Sequence, residues 1–437
     1  MTQPILQVAL DFLELDRAMT VARAAYAAGA RTFEAGTPLI KSEGLDAVRT
    51  LRREFPDATI IADMKTMDAG KIEAEAAAKA GANVMTVLGA ADEATIRECV
   101  EAGAHYGISV AVDLLGMDDP ITFARGAKDL GVAWLDVHCA IDQQMRGLDP
   151  FDLLREVRAV SDLTVAVAGG VNSETAAACA QAGADVVIVG GAITKAVDVE
   201  QATRDILSAL STGEVIASEH FKRHDSTTLR DALSKLRTAN ISDAAHRQPC
   251  LEGIRPVTPG HCAVGQAVTV RTLPGDWAKP VEAIDVANAG DILVIDACDM
   301  SPAIWGELAS ESAMNKGIAG LVVWGAVRDT AEIRTMNFPV WSSHVTSHAG
   351  DPHGCGEINV PIVIAHQRIC PGDWIVADDD GVMVIPQAQA VELANRAANV
   401  LEAENRIRQE INEQNSTLAE VVNLKRWEKH SGAGLIG

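Results

Sequence analysis

Short apolar runs recur through the first half of the chain, at 6–10, 32–35, 59–63, 84–87, 109–112, 134–138, 164–168 and 186–189. Between them the apolar positions follow helical spacing, as at Met19, Val21, Ala22 and Ala25. Several of the helical stretches finish in Ala-Gly-Ala just ahead of the next run (28–30, 80–82, 182–184), the mark of a helix end turning into a buried strand. Eight βα units of this size close most simply as a (β/α)8 TIM barrel, which the pattern predicts over residues 1–210. A doubly wound open sheet is the competing α/β arrangement. Its G-x-G-x-x-G fingerprint is missing from the first turn.

The rhythm stops near residue 210. The polar stretch 211–227 reads as a linker, with His220 and His224 as solvated side chains rather than ligands. A helical pattern follows at 229–236. Strands are then predicted at 267–271, 292–295, 321–323 and 340–341, and antiparallel-type strands near 361–364, 374–377 and 382–385. A long helix is expected over 387–411, since no breaker interrupts it. This makes 228–412 a second α/β domain. The tail, 413–437, is expected to pack on another subunit or to fray.

Composition narrows the class. With 437 residues and 48 % hydrophobic positions, the chain can bury two or three cores. Its formal charge of −23 argues against nucleic acid, whose phosphates call for Lys/Arg clusters. No apolar run approaches the 18 or so residues of a membrane span. Residues 1–4 run straight into a strand without the basic and apolar regions of a signal peptide. The eight cysteines form no C-x-x-C pair and read as free thiols, so the expected location is the cytoplasm.

In a barrel, catalytic groups gather at the C-terminal strand ends. Those ends carry Asp11, Glu34, the cluster Asp63/Lys65/Asp68, Asp113 and His138. On a regular strand the i, i+2 spacing of Asp63 and Lys65 puts both on one face. A buried ammonium between carboxylates stays charged and keeps them ionised. It can stabilise an oxyanion, and the carboxylates can hold a divalent metal. Three charges alone would be explained by a surface salt bridge, and a lone strand-end Asp is often a helix cap. Recurrence at equivalent strand ends is what favours a site. Gly169-Gly170 and Gly190-Gly191 follow the seventh and eighth runs, where barrels place a phosphate cradle, although a lone Gly-Gly is usually a turn.

Residues 5–208 resemble the hexulose-phosphate synthases of the orotidine-phosphate-decarboxylase-like barrel group, with its Asp-x-Lys-x-x-Asp signature. The resemblance is carried by Glu34-Ala35-Gly36-Thr37-Pro38-Leu39-Ile40, Ala62-Asp63-Met64-Lys65-Thr66-Met67-Asp68-Ala69-Gly70, Val112-Asp113-Leu114-Leu115-Gly116, Val137-His138 and Val167-Ala168-Gly169-Gly170-Val171. It implies a Mg²⁺-assisted (or Mn²⁺-assisted) aldol condensation of formaldehyde with D-ribulose 5-phosphate. Glu34 and Asp63 would ligate the metal, and Lys65 would stabilise the enediolate. His138 would move the C1 proton, and Asp11 and Asp113 would orient substrate hydroxyls. Asp68 would reach into a neighbouring subunit's site. The runner-up is 3-keto-L-gulonate-6-phosphate decarboxylase, of the same group. Its pattern has Glu at Asp113 and Arg residues near Cys139 and Gly191. Ala35, where the synthases usually have Leu, is a departure expected to change packing only.

In the second half the informative phrases are Trp305-Gly306-Glu307 and Trp324-Gly325-Ala326-Val327-Arg328-Asp329, with Glu332 three residues on. Gly306 opens a helix whose amides can face an anion, Arg328 can pair with a carboxylate, and Asp329 can hold a metal. Adjacent Arg-Asp by itself reads as a capping or interface pair. Residues 228–412 resemble the family of 4-hydroxy-4-methyl-2-oxoglutarate aldolases and RNase-regulator-A-like proteins. That implies a β-β-α swivelling domain in ring-like trimers and lyase or oxaloacetate-decarboxylase chemistry on a 2-oxo acid. Mg²⁺ would sit on Asp329, with Arg328 on the keto acid. The alternative within the same family is a non-catalytic regulatory or protein-binding module. His344, His348, His353 and Cys355 show no tetrahedral ligand spacing and read as loop lining.

Barrels pairing as dimers and second domains forming trimers are satisfied together by a D3 hexamer. Light scattering is therefore expected to return a mass that is a multiple of six chains; any other mass counts against this assembly.

Overall fold

The computed structural model describes residues 3–218, 221–422 and 424, and the chain divides into two compact units, Met1–Arg223 and His224–Gly437. In the first unit the parallel strands are β1 (Ile5–Leu10), β2 (Thr32–Ala35), β3 (Thr59–Thr66), β4 (Val84–Leu88), β5 (Ser109–Asp113), β6 (Trp134–His138), β7 (Thr164–Ala168) and β8 (Val186–Val189). They pair in chain order, and β8 pairs with β1, Ile5 opposite Val186. The barrel is closed, as the pattern predicts.

Strand alternation sorts the side chains into two sets. Val8, Phe33, Ile60, Val112, Leu135 and Val167 face outward into the core shared with the helices. Ala9, Ile61, Ala111 and Trp134 belong instead to two small clusters that form an apolar floor inside the barrel. Two residues further along the same inward faces come Asp11, Asp63, Asp113 and Asp136. The polar storey thus lies directly above the floor.

One strand breaks the regularity. β3 runs to Thr66, beyond its expected end, with a register shift against β4 between Ala62 and Thr66 and a left-handed φ of 44° at Lys65. Simple alternation is therefore not what brings Lys65 to Asp63; the irregular strand end re-aims the side chain.

Residues 211–223, expected as linker, belong to the first unit. The Ser173 hydroxyl donates to the Ile216 carbonyl at 2.8 Å, and the Ser218 N–H donates to Glu174 Oε1 at 2.8 Å. Asn172 Nδ2 donates to the Phe221 carbonyl at 3.2 Å, and Phe221 is buried. The stretch is polar because its groups bond to the loop after β7 rather than to water alone. His220 lies outside the described residues. The His224 N–H donates to Asn395 Oδ1 in the second unit.

The second unit is α/β around a mixed sheet. Its strands are β9 (Arg255–Pro256), β10 (Ala263–Arg271), β11 (Ile292–Asp296), β12 (Ala303–Trp305), β13 (Gly320–Val327), β14 (Val340–Val345), β15 (Glu357–Ile358), β16 (Ile362–Ile364), β17 (Gln367–Ile369), β18 (Trp374–Asp378) and β19 (Gly381–Ile385). The main order is β19-β18-β10-β11-β13-β14-β9, with β12 on β13 and β15 on β10. β10, β11, β13 and β14 are parallel, whereas β18, β19 and β9 pair antiparallel. Leu321 and Val323 of β13 face one core while Val322 faces the other, as befits a strand covered on both sides. The expected helix at 229–236 is shorter, Leu229–Ser234, and a separate helix Thr238–Ala244 follows. Both pack with the long helix Ala390–Gln414. Beyond residue 424 the expected tail lies outside the described residues. Among the described residues, no helix is long and apolar enough to cross a membrane.

Helix Gly70–Ala80 leaves the site and packs closely on helix Glu93–Tyr106. A Cβ on Gly70 would stand 2.4 Å from the Thr95 carbonyl oxygen and 2.9 Å from Cys99 Sγ. Gly70→Ala is expected to cost about 1–3 kcal/mol through overpacking. The measurement is the denaturant midpoint at unchanged m-value, and an unchanged midpoint would contradict the close approach.

Candidate active site

The inward storey of the barrel gathers its charges around one ammonium. Lys65 Nζ is 3.0 Å from Asp63 Oδ1 and 2.9 Å from Asp113 Oδ2. Asp113 Oδ2 is also 3.0 Å from His138 Nδ1, and its Oδ1 accepts the Leu115 N–H at 2.9 Å. In the neutral tautomer that keeps its proton on Nδ1, the imidazole lone pair is on Nε2. Asp63 is held on its other sides. Thr86 Oγ1 donates to Oδ1 at 2.7 Å and Thr37 Oγ1 to Oδ2 at 2.6 Å. Thr86 Oγ1 also accepts the Lys65 N–H at 3.0 Å, bracing the irregular end of β3.

Protonation follows from this arrangement. Burial opposes the Lys65 charge, but Asp63 and Asp113 outweigh it and raise its pKa. Burial alone would raise Asp113; the bonds and charges of His138 and Lys65 bring it down to about 2. Glu34 is pushed well above its ordinary value, first by burial and then by Asp63 and Asp11, while Gln7 Nε2 donates to it. Asp11 keeps solvent access at the barrel mouth, yet the protein around it and then Asp63 raise its carboxyl as well.

Crowded carboxylates facing a single lysine suit a divalent cation, whose charge would favour the ionised form of Glu34. Among the described residues no trio of His, Cys, Asp or Glu makes a complete protein cage. Mg²⁺ does not need one, since it is commonly held by one or two carboxylates with water and substrate oxygens. The donor pair Glu34 and Asp63 fits that mode.

The structure brings together Asp11, Glu34, Asp63, Lys65, Asp113 and His138. Asp68 stands apart within one chain: it is exposed, and its Oδ1 accepts the Ala69 N–H at 2.7 Å. Gly169 and Gly170 adopt positive φ after β7, and Gly190 and Gly191 follow β8. Sequence reasoning missed Gln7, Thr37, Thr86 and Asp136. Asp136 is buried with Oδ1 lacking a hydrogen-bond partner, and burial, then Asp113 and Asp63, raise its carboxyl well above the usual range. It sits two residues before His138 on the same face, so the period of the strand was the signal. The threonines carry no comparable signal.

In the second unit Gly306, Arg328 and Asp329 line a cavity of about 280 Å³ whose walls include Trp277, Ile304 and Trp305. Arg328 Nε is 3.3 Å from Asp329 Oδ2, which also accepts the Glu307 N–H at 3.2 Å. A Cβ on Gly306 would stand 2.4 Å from that same oxygen, so only glycine fits. Glu332 is exposed and is not part of this lining. His344 Nε2 is 2.9 Å from Asp299 Oδ1, and His348 Nδ1 is 3.0 Å from Thr346 Oγ1; no metal cluster forms there among the described residues.

A closed parallel barrel with an acid–lysine–histidine cluster at its C-terminal strand ends has the build of a barrel enzyme. Residues 4–206 match the Orotidine 5'-phosphate decarboxylase / HUMPS family, and residues 238–384 match the RraA-like family, Aldolase/RraA. The chain belongs to the first family through its barrel and carries an RraA-like domain in its second unit. The barrel is 40 % identical to 3-hexulose-6-phosphate synthase of Mycobacterium gastri over 208 residues, 47 % of this chain and 99 % of that protein. It is 40 % identical to 3-hexulose-6-phosphate synthase of Methylomonas aminofaciens over 201 residues, 46 % of this chain and 96 % of that protein. The crystal structure of KGPDC from Streptococcus mutans is 27 % identical with a TM-score of 0.44, covering 48 % of this chain and 99 % of that one.

Asp113 provides a pH signature. Its carboxyl is held at about 2 against an ordinary 3.8, so its contribution is fully present above about pH 4 and is lost as the pH falls towards 2. That contribution is on the order of 2 kcal/mol. The Tm gap between wild type and Asp113→Asn should therefore be widest near neutrality and shrink below pH 4. A gap independent of pH would contradict the ion-pair origin.

Proposed function

We propose that the barrel catalyses the reversible aldol condensation of formaldehyde with D-ribulose 5-phosphate to 3-hexulose 6-phosphate. The observation that supports this most is the Asp113 carboxylate shared by Lys65 and His138. It holds a lysine ammonium and an imidazole side by side, a cation and a proton carrier as carbanion chemistry next to a carbonyl requires. His138 Nε2 takes the proton from C1 of the ribulose phosphate. The negative charge that spreads over C1, C2 and the C2 oxygen is met by the Lys65 ammonium. C1 then bonds to the formaldehyde carbon, and the resulting alkoxide takes the proton back from His138. Glu34 and Asp63 would hold Mg²⁺ or Mn²⁺, whose charge would further offset that of the substrate oxygens. Asp11, at the open mouth, is left to bind hydroxyls. Asp113, with both oxygens engaged inside the protein, positions Lys65 and His138 rather than substrate. The Gly169-Gly170 and Gly190-Gly191 loops receive the phosphate, and Asp68 serves a second barrel.

For the second unit the reading is lyase or decarboxylase action on a 2-oxo acid. It is supported by an Arg–Asp pair at the rim of a small, mostly apolar cavity. Arg328 would bind the carboxylate and Asp329 a divalent cation. A protein-binding module instead would show no turnover of oxaloacetate with Mg²⁺.

Product analysis with ribulose 5-phosphate, formaldehyde and Mg²⁺ tests both parts. Wild type should form the hexulose phosphate, Asp63→Ala should lose about 100-fold or more, and Arg328→Ala should stay within about two-fold. Oxaloacetate turnover should show the opposite dependence. No condensation, with CO₂ released from 3-keto-L-gulonate 6-phosphate, would sink the synthase reading.

A further inference from the structure

The chain beyond the barrel's last helix folds back over the two glycine loops. Residues 214–223 lie outside the 4–206 span matched to the barrel family. The described residues among them are pinned to the loop after β7 by the bonds of Ile216, Ser218 and Phe221 to Ser173, Glu174 and Asn172. Lys222 adds an ion pair to Glu174 at 3.1 Å. The next residue is Arg223, whose Cγ lies 3.8 Å from the place a Cβ would take on Gly170. The Phe221 ring lies 3.7 Å from the equivalent point on Gly191. So the described part of this segment sets an aromatic ring over one loop and an arginine stem over the other. Among the described residues, the amides of Gly170 and Gly191 donate no hydrogen bond to the backbone.

We propose that Arg223 is a phosphate-recognition residue of the barrel, supplied by chain outside the family's own span. The inference rests on the barrel acting on a phosphosugar. Backbone amides give an anion direction but no net charge, whereas a guanidinium offers a planar fork that pairs with two phosphate oxygens. Lys222 is committed to Glu174 and fixes the segment; Arg223 is carried over the loop as a consequence. Lys195, whose side chain lies 4.0 Å from the Cβ place on Gly191, shares the anion from the other side. Asp11 is the facing carboxylate, near Gly190, which makes a second cation more useful there.

The test uses the full chain. Arg223→Met keeps the stem on Gly170 and removes the charge, and Arg223→Lys keeps the charge and removes the fork. Calorimetry measures binding of inorganic phosphate and of ribulose 5-phosphate, alongside steady-state condensation with formaldehyde. Arg223→Met should weaken both ligands about ten-fold or more and raise KM for ribulose 5-phosphate by a similar factor. Formaldehyde KM, kcat and Tm should stay near wild type, and Arg223→Lys should recover part of the affinity. Phosphate binding by Arg223→Met within two-fold of wild type overturns the proposal. Equal losses in both variants with a lowered Tm also overturn it, by making Arg223 a strut. If wild type binds phosphate in an Arg223-dependent way but condenses nothing, the proposal stands and the reaction falls. Wild type binding neither ligand overturns both.

Discussion

A lysine ammonium with only 22 % of its side chain exposed is sustained between two carboxylates, Asp63 and Asp113, that are themselves 5 % and 3 % exposed. Each of these charges alone would be costly so far from water, and removing one partner leaves the others uncompensated. The rest of the barrel's upper storey is arranged around that requirement. Thr37 and Thr86 fix Asp63, Leu115 fixes Asp113, and closure of the sheet brings β3, β5 and β6 to a common interior. The His138 ring takes its orientation from the same carboxylate that restrains the lysine.

Both units place a charged non-glycine residue in the left-handed region at or just after a strand end. Lys65 has φ 44° at the end of β3, and Asp329 has φ 55° just after β13. Such backbone is unfavourable for ordinary residues and persists where surrounding contacts impose it. At Lys65 the N–H bond to Thr86 is one such contact. At Asp329 the carboxylate is gripped by the Glu307 N–H and crowds Gly306 until no side chain fits there.

Much of the barrel was legible because its strands are short, apolar and regularly punctuated, and because polar residues at strand ends break an otherwise apolar interior. Asp63, Lys65, Asp113 and His138 announced themselves in that way. The irregular end of β3 did not, since two extra residues against β4 leave no mark in the sequence of Thr59–Thr66. Gln7 and Asp136 were equally visible by period but lie among apolar neighbours that suggested plain core. The segment 211–223 was misread because polarity alone cannot distinguish groups bonded to a loop from groups bonded to water. In the second unit the short strands β9, β12 and β15 are too brief to show a period at all.

The contacts that hold Lys65 also decide what it cannot do. An ammonium kept protonated by two carboxylates has no lone pair to offer. A small reactive aldehyde entering beside it would meet a positive field but no nucleophilic nitrogen, so the side chain is shielded from carbinolamine or imine formation by the same pairing that makes it useful. Resistance to carbonyl reagents is then a property of the ion pairs rather than of any barrier around the site.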